Sequence, residues 1–554
     1  MMDISGWTTR LCPETVARFT QSGVWANQTL RDCAEQWARS SPDKAVVVNG
    51  DRQLTFAQLY EQALHLASAL RARGLRQGDV ISFQLPNWSE TLVINLAACI
   101  GGWVCNPIVP IYRDAEVRFI LKDAQSKVLF IPTSYRSIDY EQMVGRLRAE
   151  LPQLKEVFVV RASSTGLPRY EDLLSERAAT PESFPAVDAN AVKLLMYTSG
   201  TTGEPKGVLH SHNTLRADID ANIRFRSLTP ADVLLMASPV THITGYLYAL
   251  ELPFAAGITA LLMDRWNAVE GCDLIERHGV TFSSGATPFL AELVGVAEQT
   301  GRSLPSMRLY GSGGAPVPPD LVRRARKAMP NCQTYRAYGC SEAPTISLGL
   351  AQGDPVELAA TTDGRVVNHE VRIVDAETGA ALDGGQEGEI LTRGPEVMLG
   401  YTNPEHTKAA FDAEGFFRTG DLGRLDSRGY ITISGRKKDI IIRGGENLSA
   451  KEIEDVLHQH PSVLEAAVVA MPHPRMGETP CAFVTLRPGS SLDFDVMKAF
   501  LDQAQLARQK IPERLEILAQ LPRNAAGKVL KHELKARVAE ALRAPQDRLC
   551  IPSA

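Results

Sequence analysis

"YTSGTTGEPKG", residues 197–207, sets four aliphatic hydroxyls, three glycines and one lysine in eleven positions. Glycines let backbone N–H groups close on an anion, and hydroxyls and an ammonium add donors and charge, so a phosphate chain is the first ligand to consider. A Walker P-loop would end in Gly-Lys-Ser/Thr; here Lys206 follows Pro205 and precedes Gly207, so that template fails at its most informative position. The stretch is either a phosphate loop of another kind or an ordinary Ser/Thr/Gly turn. Just upstream, "AVKLLMY" reads as a buried strand ending at Tyr197. The loop would then leave the carboxyl end of a strand, where open α/β sheets bind ligands.

The surrounding text supports such a sheet. Between about 54 and 131, "TFAQLYEQALHLASALRARG" is helix-periodic, "DVISFQLP" is a strand, and the helical "AEVRFILKDAQS" leads into the strand "KVLFIP". The rhythm returns in "DVLLMASPV", "GITALLM", "VTFSSGATP" and "SMRLYGSGGAP", so the first three fifths is expected to be doubly wound, largely parallel α/β structure. After about residue 350, short glycine-punctuated runs suggest an antiparallel sheet or partial barrel. In "GYITISGRKKDIIIRGGENLSAKEIEDVLHQHP" a strand ends at Gly435, three cations follow, then a strand, a glycine pair and a capped helix. A boundary there divides residues 1–435 from a small α+β unit, 436–554, with strands near 464–470 and 480–487.

Composition excludes several classes. With 554 residues the chain is too long for one core at about 150 residues per domain. Its 59 Lys plus Arg against 64 Asp plus Glu give a net charge of −5, with no basic excess for nucleic acid. "LVRRARKAM", 321–329, reads as the solvated face of a helix. Nine cysteines without CxxC spacing suggest neither zinc nor disulfides and fit a reduced cytosol. The N-terminus lacks a signal-peptide pattern, so a cytoplasmic protein is expected. The charge-free stretch 91–111 is interrupted by Asn95, Gly101, Gly102, Asn106 and Pro107, and reads as a buried helix, a glycine turn and a short strand instead of a membrane span.

Six further elements follow the first loop in order: "PVTHITG" (239–245), "YGSGGAP" (310–316), "YGCSEA" (338–343), "RTGDLG" (418–423), "GRKKDIIIRGGEN" (435–447) and "PRNAAGKV" (522–529). With them the sequence resembles, from about 30 to 535, the adenylate-forming superfamily of acyl-CoA synthetases, firefly luciferases and peptide-synthetase adenylation domains. The flanking "THITGYLYALELPF" and "GATPFL" look most like its cyclohexanecarboxylate and medium-chain ligases. The resemblance implies a large N-terminal domain of doubly wound α/β subdomains with a distorted β-barrel, and a small mobile C-terminal α+β domain. It implies activation of a carboxylic acid by ATP to acyl-AMP, then transfer to a thiol, with Mg²⁺ and coenzyme A.

That reaction brings two anions together, so charge neutralisation and positioning are the main tasks. By the resemblance, Thr198, Ser199, Gly200, Thr201, Thr202, Gly203 and Lys206 hold the β and γ phosphates, Ser341 adds a hydroxyl contact and Glu342 binds magnesium. Gly313, Gly314, Ala315, Pro316 and Tyr338 receive the adenine, Asp421 and Arg436 the ribose, and Ala337, Gly339 and Ile433 belong to the same nucleotide site. Lys528 bridges the carboxylate and the α-phosphate in the transition state. Lys438 is the hinge, and Gly444 and Gly445 line the thiol channel after the small domain rotates. His242 stands at the entry to the acyl pocket, with a packed core histidine as the competing reading. Ile243, Gly245, Tyr246, Gly285, Gly311 and Cys340 form the acyl wall; no aspartate appears in "PVTHITG", so an uncharged aliphatic, alicyclic or aryl acid is expected.

His210 and His212 in "HSHN" read as loop or helix-start residues before metal ligands. The chain ends some 26 residues after Lys528, too short for a fused carrier domain, so coenzyme A is the expected acceptor, with a separate carrier protein or an amine as the alternative. Arg443 and Arg475 are candidates for its nucleotide phosphates. A monomer or a homodimer is expected. Two rival classes are weaker: a hydrolase using Ser341 lacks the second glycine of a nucleophile elbow, and a non-catalytic ATP-binding protein has no need to keep Lys528 and Glu342.

Overall fold

The computed structural model describes residues 1–162, 165–176, 180–198, 205–523 and 528–543. The backbone divides into two compact units: 1–314, 322–371 and 392–418 form the first, and 315–321, 372–391 and 419–554 the second.

Among the described residues the first unit holds two large sheets. One runs Ala343–Ser347, Gln333–Cys340, Leu309–Gly313, Phe282–Gly285, Val233–Met236, Thr259–Leu262, Ala45–Asn49, Arg52–Thr55. Its inner pairings are parallel and its two outermost are antiparallel. The other runs Gly400–Tyr401, Lys206–Ser211, Val192–Thr198, Val104–Pro107, Val80–Phe83, Val128–Pro132, Glu156–Val160. Strands buried on both faces, such as Val128–Pro132, are continuous apolar runs, as sheets covered by helices require. The strand expected to end at Tyr197 ends at Thr198.

The charge-free stretch takes the form expected of it. Helix Ser89–Gly101 is buried along its whole length, Gly102 stops it in the left-handed region at φ +68°, and strand Val104–Pro107 pairs parallel to Val80–Phe83. Among the described residues no helix is long and apolar enough to cross a membrane. Helix Pro319–Ala328 leaves Arg323, Arg326 and Lys327 exposed over buried Val322 and Ala325, the solvated face expected of "LVRRARKAM". The cysteines among the described residues are free thiols.

A four-stranded sheet, Glu370–Val374, Gly388–Arg393, Phe417–Leu425 and Ile431–Arg436, stands where the partial barrel is expected. The C-terminal α+β structure is built on a hairpin of Val463–His473 and Gly477–Leu486, longer than the expected strands. Its alternation serves two cores: Val468 and Val484 pack with Ile453, Leu457 and Met497, whereas Val469 and Phe483 pack with Leu521, Leu534 and Val538. Strands Glu446–Leu448 and Arg514–Ile517, absent from the sequence reading, complete this sheet. Ser449 caps helix Ala450–Leu457 by accepting from the Glu452 N–H.

Candidate active site

In the first unit the hairpin of Val192–Thr198 and Lys206–Ser211 pairs Thr198 with Lys206. Ser199, Gly200, Thr201, Thr202 and Gly203 lie outside the described residues. The short strand Gly400–Tyr401 runs antiparallel to the returning strand, and the Thr402 N–H donates to the Gly207 carbonyl at 2.8 Å. This close approach needs a glycine: a Cβ on Gly207 would lie 2.7 Å from both Leu195 and Thr402 side-chain carbons. The Lys206 ammonium sits 5.3 Å from the Tyr401 ring centroid.

Ser341 and Glu342 occupy the turn between Gln333–Cys340 and Ala343–Ser347. The Tyr401 hydroxyl donates to Glu342 Oε1 at 2.7 Å, and the Glu342 carbonyl accepts from the Met398 N–H at 2.8 Å. His210 supports the turn from below: Nε2 donates to the Ser341 carbonyl at 2.8 Å while Nδ1 faces Thr214 Oγ1 at 3.1 Å. Burial pushes His210 down to about 4, so the ring is neutral near pH 7 and keeps one N–H to donate. It lies within strand Lys206–Ser211, not in a loop, while His212 is the first residue of helix His212–Arg226. Among the described residues no cluster of histidines, cysteines or carboxylates could hold a metal without further ligands. Sequence reasoning missed the roles of Tyr401 and His210; the only local signals were the "GY" beside a strand and the histidine in "HSHN".

Of the residues expected around the nucleotide, Gly313 and Ala337 are brought together by strand register. Gly313 pairs with Ala337 on adjacent parallel strands, and a Cβ on Gly313 would lie 2.4 Å from the Ala337 oxygen. Gly314 adopts φ +74°. Tyr338 is buried, and its N–H donates to Ser347 Oγ at 2.9 Å. Gly339 has no room for a side chain, since a Cβ there would lie 1.9 Å from the Pro344 oxygen. Ala315 and Pro316 belong to the second unit.

Of the acyl-wall candidates, His242 is half-buried and precedes the short helix Ile243–Gly245. Ile243 and Gly245 are buried, and Gly245 is pressed on the Pro239 carbonyl, where a Cβ would approach to 2.0 Å. Gly285 pairs with Ser312, next to Gly311, and Cys340 is half-buried at the end of its strand. Tyr246 departs from the apolar role expected of it. It opens a π-helical segment, Tyr246–Glu251, and its hydroxyl donates to Asn95 Oδ1 at 2.6 Å. Asn95 Nδ2 donates to Glu251, and Glu251 pairs with the fully buried Lys193. A phenol buried against helix Ser89–Gly101 needs a partner for its O–H, and this polar cluster supplies it. The side chain facing Gly311 is Tyr335, whose hydroxyl would be 2.8 Å from a Cβ there; the Arg226 guanidinium lies 4.6 Å over its ring. Neither was singled out from the sequence, since only strand pairing brings Tyr335 to Gly311 and only a helix distant in sequence brings Arg226 to Tyr335.

In the second unit, pairing of Phe417–Leu425 with Ile431–Arg436 sets Asp421 opposite Arg436, and Arg436 Nε lies 3.1 Å from Asp421 Oδ1. Ile433 pairs with Gly423 in the same ladder. Lys528 lies within electrostatic reach of both charges and of Lys438 and Asp439. Burial, reinforced by Arg436 and Lys438 against the opposing Asp421 and Asp439, pushes its ammonium down to about 8. Gly444 and Gly445 take φ +60° and +89°, and the Gly444 N–H donates to the Met476 carbonyl at 2.8 Å. Arg443, one of the cations considered for coenzyme A, is paired with Glu513 at 2.7 Å.

Residues 34–402 match the family described as AMP-binding enzyme, and residues 452–528 match the AMP-binding enzyme C-terminal domain. The chain is 36% identical to the medium-chain fatty-acid–CoA ligase of Escherichia coli (strain K12), over 94% of this chain and 92% of that protein. It is 32% identical to the vibriobactin-specific 2,3-dihydroxybenzoate-AMP ligase of Vibrio cholerae, over 95% and 97%. The ATP-bound crystal structure of MatB from Rhodopseudomonas palustris superposes with a TM-score of 0.83 at 30% identity, covering 93% of this chain and all of that one. The Thr198–Lys206 hairpin, the Ser341–Glu342 turn and the Asp421–Arg436 ladder thus sit in a chain that belongs to the AMP-binding enzyme family, the adenylate-forming superfamily.

Proposed function

We propose that this AMP-forming ligase joins a small carboxylic acid to the thiol of coenzyme A in two steps. A carboxylate oxygen attacks the α-phosphorus of ATP and pyrophosphate leaves; the thiol sulfur then attacks the acyl-adenylate carbonyl and AMP leaves. The observation that carries the reading is the grouping of Lys528 with Arg436 and Asp421. A buried ammonium beside a carboxylate suited to ribose hydroxyls is what the first step needs to damp repulsion between two anions. In this reading Asp421, Arg436 and Ile433 hold the ribose, and Tyr338 with Gly313 and Gly314 receives the adenine.

The hydroxyls of the 198–202 loop and Lys206 take the β and γ phosphates. A magnesium ion neutralises phosphate charge when bound, and the site offers the oxygen donors it prefers: Glu342 Oε2 has no hydrogen-bond partner among the described residues. We place the hinge at 435/436 with Lys438 as its pivot, dividing 1–435 from 436–554; Gly444 and Gly445 line the thiol channel once the C-terminal part has turned.

We read the acid as uncharged and aliphatic, alicyclic or aryl, because Ile243, Gly245, Gly285 and Gly311 offer small and apolar surface and no aspartate stands in 239–245. A second reading, an acyl-AMP ligase serving a separate carrier or an amine, is supported by the likeness to the 2,3-dihydroxybenzoate-AMP ligase. A panel of carboxylic acids assayed for AMP release with and without coenzyme A separates them. Acyl-CoA formed in step with AMP supports the first, adenylate that accumulates whether or not coenzyme A is present supports the second, and no acid-dependent pyrophosphate release overturns both.

A further inference from the structure

One side chain outside the expected set touches both charged groups assigned to the triphosphate. Tyr401 donates its hydroxyl to Glu342 Oε1 at 2.7 Å and presents its ring to the Lys206 ammonium at 5.3 Å. Its own position is closely determined. Its backbone pairs with Val208, its N–H donates to Thr407 Oγ1 at 2.8 Å, and the neighbouring Thr402 N–H donates to the Gly207 carbonyl. A carboxylate completes the clamp: Asp123 Oδ2 accepts from the Tyr197 hydroxyl at 2.6 Å and from Thr402 Oγ1 at 3.0 Å. The strand entering the phosphate loop and the strand carrying Tyr401 therefore end on one anion.

We propose that Tyr401 is a positioning residue for the metal–triphosphate: its hydroxyl holds Glu342 so that Oε2 faces the cation, and its ring seats Lys206. This rests on the assignment of Glu342 and Lys206 to magnesium and phosphate made above. The phenol supplies the hydrogen of this contact, because an ionised carboxylate can only accept. A carboxylate with one oxygen taken by a fixed donor has one left for a cation, and its swing is restrained. Residues that orient a metal ligand in this way contribute about 10–100-fold to metal affinity.

The test uses the full chain, Mn²⁺ as the probe ion, and binding as the readout. ATP affinity is measured by calorimetry in EDTA and in Mn²⁺, with Mn²⁺ paramagnetic resonance reporting the bound ion and thermal melts confirming the fold. Tyr401→Phe keeps the ring and is expected to leave affinity for metal-free ATP unchanged while reducing the Mn²⁺-dependent gain about tenfold. Tyr401→Leu, which also removes the seat of Lys206, is expected to weaken metal-free ATP as well. Glu342→Gln is the reference. If it abolishes the Mn²⁺-dependent gain while Tyr401→Phe leaves that gain intact, the role of Tyr401 is overturned and that of Glu342 stands. If Glu342→Gln has no effect on the gain, the assignment beneath the proposal fails.

Discussion

Arg436 Nε lies 3.1 Å from Asp421 Oδ1, across a ladder that sets the two residues directly opposite each other. The pair sets a guanidinium against the Asp421 carboxylate. Asp421→Ala is expected to raise KM for ATP about 10–100-fold, the equivalent of losing hydrogen bonds to a charged group, and to weaken supplied acyl-adenylate as well, because it carries the same ribose. Steady-state kinetics of the two half-reactions checks this. An unchanged KM for ATP would remove the ribose assignment.

Lys528 gives a pH dependence with a definite sign. Its folded value is lowered from 10.5 to about 8, so between those values the unfolded chain binds more protons than the native one. The destabilisation is complete below about pH 8 and is relieved as pH climbs toward 10.5. With Lys528 as the proposed bridging cation, adenylate formation by the free enzyme is expected to decline as pH rises through about 8. Lys528→Met is expected to abolish adenylate formation and to raise the melting temperature at pH 7, and to lose that thermal advantage near pH 10.5. A variant that melts lower than the parent at pH 7 would contradict the direction of the shift.

His210 predicts the opposite edge of the pH range. With a folded value of about 4 against an ordinary 6.5, the neutral ring favours the fold above 6.5, and the benefit is lost as pH falls toward 4. His210→Ala leaves the Ser341 carbonyl without its donor and is expected to cost about 1–3 kcal/mol at pH 7. His210→Gln can restore a donor without a titrating group. Urea unfolding at pH 7 and pH 5 should show the glutamine variant losing less stability on acidification than the parent.

The buried pair Lys193–Glu251 pins the π-helical segment that starts at Tyr246. Glu251→Gln leaves an ammonium buried without its counter-charge and is expected to destabilise the chain by about 3–5 kcal/mol, measured by urea unfolding. Replacing both with Met is expected to recover a large part of that loss, because the uncompensated charge is then absent.

Gly339→Ala tests the turn that carries Ser341 and Glu342. A Cβ placed 1.9 Å from a backbone oxygen cannot be absorbed by a rotamer change, so the two strands must part. Loss of metal-dependent ATP binding is expected at temperatures where circular dichroism shows the variant still folded.

Much of this was legible from one chain because it depends on local periodicity and on spacing. The strand Val192–Thr198, the buried helix and glycine stop at 89–102, and the Ser449 cap follow from near neighbours along the sequence. Less legible were residues whose roles depend on distant partners. Tyr246 lies in an apolar run and reads as pocket wall, yet its hydroxyl finds Asn95, 151 positions away. Tyr401 and Glu342 are 59 apart, and His210 and Ser341 are 131 apart.

The sequence by itself determined the family, the alternation of strand and helix, and the identities of the charged and hydroxyl groups, because these depend on residue type and order. Only the tertiary structure decided which side chains meet: that Tyr401 takes Glu342, that His210 carries the Ser341 turn, and that Tyr246 joins a polar cluster. Such pairings are fixed by strand register and by how helices settle on the sheets. A buried polar group must find its partner wherever packing puts one, and no spacing along the chain encodes that distance.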